Sequence, residues 1–425
     1  MLCGLVALAL AVWALLYNEL LLGLLDPTPP LRPLTAAAIR RVQVGLVLAA
    51  LAIGWIAWRG LARPPLARLA ARWWAPRVLL VCSVVVLPLL LLEVSLRPFV
   101  DILGRSTRIF MPDPDRGWAL RPGSTDLWGG VPITINSEGL RGPSRGHPKP
   151  PGTYRVLFLG DSVTFGYRIA RDEETFPAVV ERRLAERWQA PVEAINAGVG
   201  GYSPWQERLF LADEGLRYEP DLVVLGFVLN DVTEKLRLVR FGGTDEGHQL
   251  ASMTLTLFDR LANASSIVYF LRELQARRLF GGDVQRGARD REVFEVETLV
   301  RDPYDPEIQA AWTLTLDNLG GLVDLCARHD LPLLLVVFPF TFQFEDPAAL
   351  GVPQSILLDF ARTRQVPSVD LLPRLGQMLD RDGRAPTDYF FDVDHPTPAG
   401  SRVIAEIITQ TIVERWPDPA RLAGS

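Results

Sequence analysis

The sequence predicts an α/β fold, a three-layer α/β/α sandwich built on a parallel sheet, preceded by three N-terminal transmembrane helices. Three observations carry that reading. Strand-like apolar runs alternate with helical stretches from Arg155 onward, which implies a parallel sheet covered on both faces. Runs such as Leu333–Phe338 are continuously apolar, as strands buried on both sides require. The first hundred residues are a different material from the rest. They hold nine Arg and three acids, net +6, whereas residues 101–425 hold 35 basic and 46 acidic residues, net −11.

The 425 residues are 48% hydrophobic with net charge −5. That is ample material for a core. Three cysteines are too few for a disulfide-stapled scaffold, and the modest charge excludes a disordered chain. The mean hydropathy, +0.16, is high for a soluble protein.

Residues 1–96 read as a membrane anchor. The runs 2–25, 42–58 and 78–96 carry Glu19, no charge, and Glu93, respectively. Each suits the ~17–25 apolar helical residues that a bilayer core requires. Trp13, Trp55, Trp58, Trp73 and Trp74 lie near the run ends, where interfacial aromatics anchor. A cleaved signal peptide is the competing reading of the first run, but it lacks a basic leader and two further runs follow. Five Arg (59, 63, 68, 72, 77) lie between runs two and three, against three (32, 40, 41) between runs one and two. The richer loop belongs in the cytoplasm, so the expected protein is a multi-pass one with Met1 inside and everything after Arg97 outside, on the periplasmic side.

Residues 97–152 read as an extracytoplasmic connector packed on the main domain, irregular and rich in Pro, Gly and Arg, with strand-like pieces such as Val131–Ile135. The main domain, 153–425, then alternates. Strands are expected at Arg155–Leu159, Val192–Ala197, Asp221–Leu229, Leu333–Phe338 and Val366–Leu371. Helices are expected at Glu173–Trp188, Pro204–Leu216, Glu307–Arg328, Pro347–Arg364 and Thr397–Trp416, the last with Thr397 as N-cap and Pro398 at the first helical position. Residues 232–305 interrupt the pattern as an insertion, with a helical stretch near Ile267–Leu279 that suits a lid, a membrane-facing element, a partner surface or a surface insertion without a role. Cys326 is expected to be a small buried helix residue.

In open α/β sheets, ligands bind beyond the carboxyl ends of the strands. Gly160-Asp161-Ser162 follows the first strand, and Asn196-Ala197-Gly198-Val199-Gly200-Gly201 the second. Asn230-Asp231 follows the third, and Asp392-Val393-Asp394-His395-Pro396 precedes the last helix. A serine, free glycine N–H groups, an asparagine amide and an Asp/His pair are the parts of nucleophilic acyl transfer. A serine hydroxyl is a weak nucleophile until a base takes its proton, and histidine titrates in the working range.

These blocks resemble the SGNH/GDSL hydrolase superfamily, in family order, over roughly Arg155–Trp416. The resemblance implies the superfamily's flavodoxin-like sandwich and a serine esterase or lipase-like hydrolase working through an acyl-enzyme. By that resemblance Ser162 is the nucleophile, His395 the base and Asp392 its orienting carboxylate. Gly201 and Asn230 join the Ser162 N–H as oxyanion donors, with Asp161, Asn196 and Asp231 in support. The stretch Ile135–Gly142, with Gly160–Pro177, resembles membrane-tethered bacterial members. One block departs from the pattern: Gly226 lies four residues before Asn230 instead of two. Asp394 is a second carboxylate beside His395, and the side chains of neighbouring residues usually diverge.

Other motifs carry less. Gly142-Pro143-Ser144-Arg145-Gly146 matches G-x-S-x-G formally, but without the buried strand and helix that pattern needs. Gly198-Val199-Gly200 lacks the third glycine of a dinucleotide loop. His147, His248 and His329 have no metal-ligand spacing, so neither a metal nor a cofactor is expected. The net acidic main domain gives no nucleic-acid footprint, and 42 Arg against two Lys reads as compositional bias. The expected partners are an ester of a lipid, a glycan or a small acyl group, and the bilayer. An O-acetyltransferase or deacetylase acting on exported polysaccharide is the alternative, and a non-catalytic binding protein a third reading. The sequence leaves the oligomeric state open.

Overall fold

The computed structural model describes residues 109–233 and 294–416, the short helical pieces 89–94 and 265–268, and positions 44 and 55. The expected spans 2–25, 42–58 and 78–96 therefore lie outside the described residues, except for Val44, Trp55 and 89–94. The same holds for the insertion, of which 232–233, 265–268 and 294–305 are described. Among the described residues no helix is long and apolar enough to cross a membrane. Two compact units divide the chain, one of residues 1–105 with 256–282, the other of 106–255 with 283–425. In the first, the Glu93 carboxylate accepts from the Ser265 hydroxyl and from the N–H groups of Ser266 and Ile267.

The second unit begins with two antiparallel hairpins. β1 (Phe110–Asp113) pairs with β2 (Gly117–Leu120), and β3 (Thr125–Trp128) with β4 (Val131–Thr134). The strand-like piece expected at Val131–Ile135 is β4, and the rest of the connector is more regular than expected. Glycines at positive φ (Gly129 and Gly130 in the second turn) let these short runs fold back and pair. The hairpins have their own small core of Ile109, Leu120, Ile133 and Ile135, shared with Phe165, Val199 and Tyr202 of the main domain.

Five strands then form one parallel sheet: β5 (Tyr154–Gly160), β6 (Val192–Asn196), β7 (Leu222–Phe227), β8 (Leu333–Val337) and β9 (Ser368–Asp370). Their order is β6-β5-β7-β8-β9, all neighbours parallel. The chain steps from β5 to β6 on one side, then crosses back to β7 on the other. Right-handed crossovers place the connecting helices of those two steps on opposite faces. The reversal makes β5/β7 the switch point, where the carboxyl ends of the strands open a crevice.

The helices are α1 (Ser162–Phe165), α2 (Phe176–Trp188), α3 (Pro204–Asp213), α4 (Pro306–Arg328), α5 (Val352–Thr363), α6 (Leu371–Asp382) and α7 (Pro398–Arg415). α2 packs on α7, and α3 on α4. The starts follow local chemistry. Ser203 and Gln206 form a capping box on α3, Asp305 takes the N–H groups of Glu307 and Ile308 on α4, and Thr397 takes that of Gly400 on α7. Two differences from the expected elements have physical causes. The helix expected over 347–364 breaks at Gly351 into a turn (Pro347–Leu350) and α5, because Pro353 has no N–H to continue the ladder. α6 follows β9 directly, started by the Asp370 side chain on the Leu372 N–H. Strands β5, β7 and β8 are buried almost throughout and form the core with Phe176, Leu184, Leu322 and Ile408. Cys326 is buried on α4, and burial pushes its thiol pKa up to about 12.

Candidate active site

β5 ends on Gly160, whose φ of +149° and crowded surroundings leave no room for a side chain. A Cβ there would sit 2.1 Å from Thr164 Oγ1 and 3.0 Å from the Gly226 carbonyl oxygen. Gly226 pairs with Gly160 across the sheet, and a Cβ on it would also meet Thr164 Oγ1, at 2.5 Å. The two glycines form a slot into which α1 lowers the Thr164 side chain. This slot accounts for the position of Gly226, which the expected block pattern did not.

The slot brings the start of α1 against the strand ends. Asp161 caps α1, its Oδ1 accepting from the Val163 N–H at 2.8 Å. Ser162 is the first helical residue, so its own N–H is one of the groups that a helix start leaves without an intrahelical partner. The Asp161 Oδ2 accepts from Asn230 Nδ2 at 3.0 Å. Burial pushes the Asp161 pKa up against the pull of the Asn230 and Val163 hydrogen bonds, so the carboxyl is held above its ordinary value. Asn230 sits just past β7, where the Asp231 carboxylate turns back to the Val228 N–H at 3.3 Å and fixes the turn. After β6, Asn196 Oδ1 takes the Gly198 N–H at 3.1 Å, and its amide faces the Phe165 carbonyl at 3.4 Å. Gly201 lies in that loop at φ +77°, beside the Trp118 ring.

From the opposite end of the chain, the loop before α7 brings in His395. Its Nε2 lies 2.8 Å from Ser162 Oγ, and its Nδ1 lies 2.9 Å from Asp392 Oδ1. Asp392 Oδ1 also accepts the backbone N–H of His395 at 3.0 Å, which folds the loop back on itself. Asp394 does not diverge from the ring as expected. Its Oδ1 lies 3.0 Å from the same Nδ1. The bridge between Phe390 and Pro396 narrows the loop so that both carboxylates converge. Burial works against a charged imidazole, but Asp394 and Asp392 outweigh it and push the His395 pKa up to about 10. Asp392, Asp394 and His395 bring three possible metal-ligand atoms within 4.8 Å of one another. The imidazole Nδ1 already faces both carboxylates at hydrogen-bonding distance, so the cluster closes on itself.

Residues 158–403 match the GDSL-like lipase/acylhydrolase family, more than half of the chain. The chain belongs to that family. This GDSL hydrolase is therefore an enzyme that cleaves ester bonds. No curated protein matches the sequence. Solved structures similar to it include a two-domain esterase active on acetylated mannans, 18% identical, with TM-score 0.35 over 62% of this chain and 49% of that one. The match thus spans about half of that protein. A catalytic mutant of an acetylxylan esterase from Geobacillus stearothermophilus is 16% identical, with TM-score 0.37 over 61% and 94% of the two chains. Another acetyl xylan esterase is 16% identical, with TM-score 0.38 over 61% and 99%.

Around the GDSL hydrolase's serine lie residues that sequence reasoning missed. The Tyr167 ring sits 4.6 Å from the His395 ring, and Trp128 of the β3–β4 hairpin sits 4.9 Å from Tyr167. Arg168 lies 4.9 Å over the Phe391 ring and 3.5 Å from Asp392 Oδ2. Arg141 is buried, with Nε on Asp172 at 2.8 Å and its other nitrogens on the carbonyls of Phe165, Gly166 and Ile169. It clamps the loop that carries Tyr167 and Arg168. Only the stretch Ile135–Gly142 pointed toward Arg141, and no pattern marked Arg168. Ser144 of the formal G-x-S-x-G match pairs with Ser137 at 2.9 Å in an exposed turn.

Proposed function

We propose that this hydrolase is a serine esterase acting on carboxylic esters through Ser162, His395 and Asp392. The distance of 2.8 Å between Ser162 Oγ and His395 Nε2 is the observation that carries this reading. In it, His395 takes the serine proton as Oγ attacks the ester carbonyl carbon. The Ser162 and Gly201 N–H groups and the Asn230 amide receive the oxyanion. Collapse breaks the carbon–oxygen bond to the alcohol, which leaves with the proton held on His395. Water, deprotonated by the same ring, then attacks the acyl-serine and regenerates the hydroxyl. Asp392, on Nδ1, fixes the tautomer that exposes Nε2 to the serine.

The reading also includes an N-terminal membrane anchor with the catalytic unit outside the cytoplasm. It is supported by the three apolar runs and their flanking arginines, and by the helical piece 89–94, on which Leu89, Leu90 and Val94 are exposed. Reporter fusions after Arg97 test the orientation: an exported reporter should be active there and a cytoplasmic one silent.

A panel of chromogenic esters of increasing acyl length, assayed with the full-length chain and with Ser162→Ala, tests the chemistry. Turnover of one or more esters that disappears in the variant is expected. Equal turnover by both proteins would contradict the role of Ser162.

A further inference from the structure

His395 faces an unusual excess of negative charge. The charged or titratable groups against its ring include Asp392 and Asp394 on Nδ1, Asp161 beneath Ser162 and the Tyr167 ring beside it, with Arg168 behind Asp392. A ring that must lose its proton in each cycle is poorly served by two carboxylates on one nitrogen. One N–H also cannot point at both.

Arg168 is the cation placed to resolve this. Its Nη1 lies 3.5 Å from Oδ2 of Asp392, while Oδ1 of the same carboxylate holds His395. Three contacts fix this placement. The Arg168 backbone is left-handed, with φ +65°. Its guanidinium lies over the Phe391 ring. Gly129 of the hairpin turn lies so close that a Cβ there would be 2.6 Å from Arg168 Cγ. Arg141 holds the carbonyls of Phe165, Gly166 and Ile169 on either side. The connector therefore fixes Arg168 through both the hairpin and the buried arginine.

We propose that Arg168 is a positioning residue for the acid–base pair: by pairing with the far oxygen of Asp392 it selects that carboxylate over Asp394 and offsets one of the two negative charges facing His395. The proposal rests on the esterase reading above. It assigns a catalytic consequence to the connector, whose Gly129 and Arg141 hold the arginine in place.

The test is the pH dependence of kcat/KM on a chromogenic acetate ester, with the full-length chain in mild detergent. Removing the cation leaves His395 more negative surroundings and raises its proton affinity. In Arg168→Gln the acidic limb should therefore move up by about half a unit or more, a loss of about threefold or more on the limb itself. Arg168→Lys should return most of the shift, and adding Asp394→Asn to the glutamine variant should bring the limb back down. A purely structural role would lower kcat evenly at all pH values and leave the limb in place. An unmoved limb in Arg168→Gln, or no response to Asp394→Asn in that background, overturns the proposal. Ser162→Ala serves as the control: if it retains turnover the esterase reading itself fails, whereas an inactive Ser162→Ala with an unmoved limb overturns the Arg168 role alone.

Discussion

Ser162 Oγ and His395 Nε2 meet at 2.8 Å although 233 positions separate them in sequence. The sheet makes the meeting possible: Ser162 leaves the central strand β5 at the switch point, and His395 enters on the loop before α7, which packs on α2 beside the same strands. Of the two carboxylates on the ring, Asp392 also anchors the loop backbone. Asp392→Asn should cost less than the ~10⁴-fold loss typical of a sole orienting carboxylate, because Asp394 remains on Nδ1. The double variant Asp392→Asn/Asp394→Asn should lose more than the product of the single losses, as kcat measurements would reveal.

The pH profile follows from the same pair of carboxylates. In the proposed mechanism His395 must be neutral to accept the serine proton, and its pKa is raised to about 10. Activity should therefore be lost as pH falls through an acidic limb above neutrality. Asp394→Asn should move that limb down. The raised pKa also stabilises the fold fully only below the ordinary value of 6.5, and that contribution fades as pH rises toward about 10. Urea unfolding at pH 6 and pH 10 measures it.

The slot formed by Gly160 and Gly226 makes a packing prediction. Gly226→Ala places a methyl group 2.5 Å from Thr164 Oγ1. It should destabilise by about 1–3 kcal/mol, as overpacked cores do. Adding Thr164→Ala removes the nearer obstacle and leaves Phe338 Cε2 at 3.2 Å, so the double variant should be more stable than the sum of the two single effects predicts. Denaturant midpoints of the three variants decide this.

Arg141 should behave as a structural clamp. Arg141→Ala leaves three buried carbonyls without a cationic donor and should cost about 1–3 kcal/mol, the penalty of a buried acceptor left unpaired. Arg141→Lys keeps the charge but cannot span the fork, so it should recover only part of the loss in urea unfolding.

Much of this was legible in the sequence because local rules and the fold agreed. Continuous apolar runs became β5, β7 and β8, and Thr397-Pro398 began α7 as capping chemistry predicts. Ser162, His395 and Asp392 stood out because the blocks that hold them come at strand ends in order. Of the hairpins only the piece at Val131–Ile135 stood out, since their apolar residues are sparse and they are buried partly against Phe165, Val199 and Tyr202, which lie far off in sequence. Arg168 was invisible for the same reason: its partners, Gly129, Phe391 and Asp392, are contributed by separate segments. The convergence of Asp394 on Nδ1 depends on the loop closing at Phe390 and Pro396, a tertiary feature that overrides the usual divergence of adjacent side chains.

Labelling with a fluorophosphonate, followed by mass mapping of the modified peptide, tests the role of Ser162 most directly. The adduct should fall on Ser162, form in the wild type, and vanish in Ser162→Ala while the variant keeps its wild-type unfolding curve. An adduct on another residue, or equal labelling of the two proteins, would contradict it.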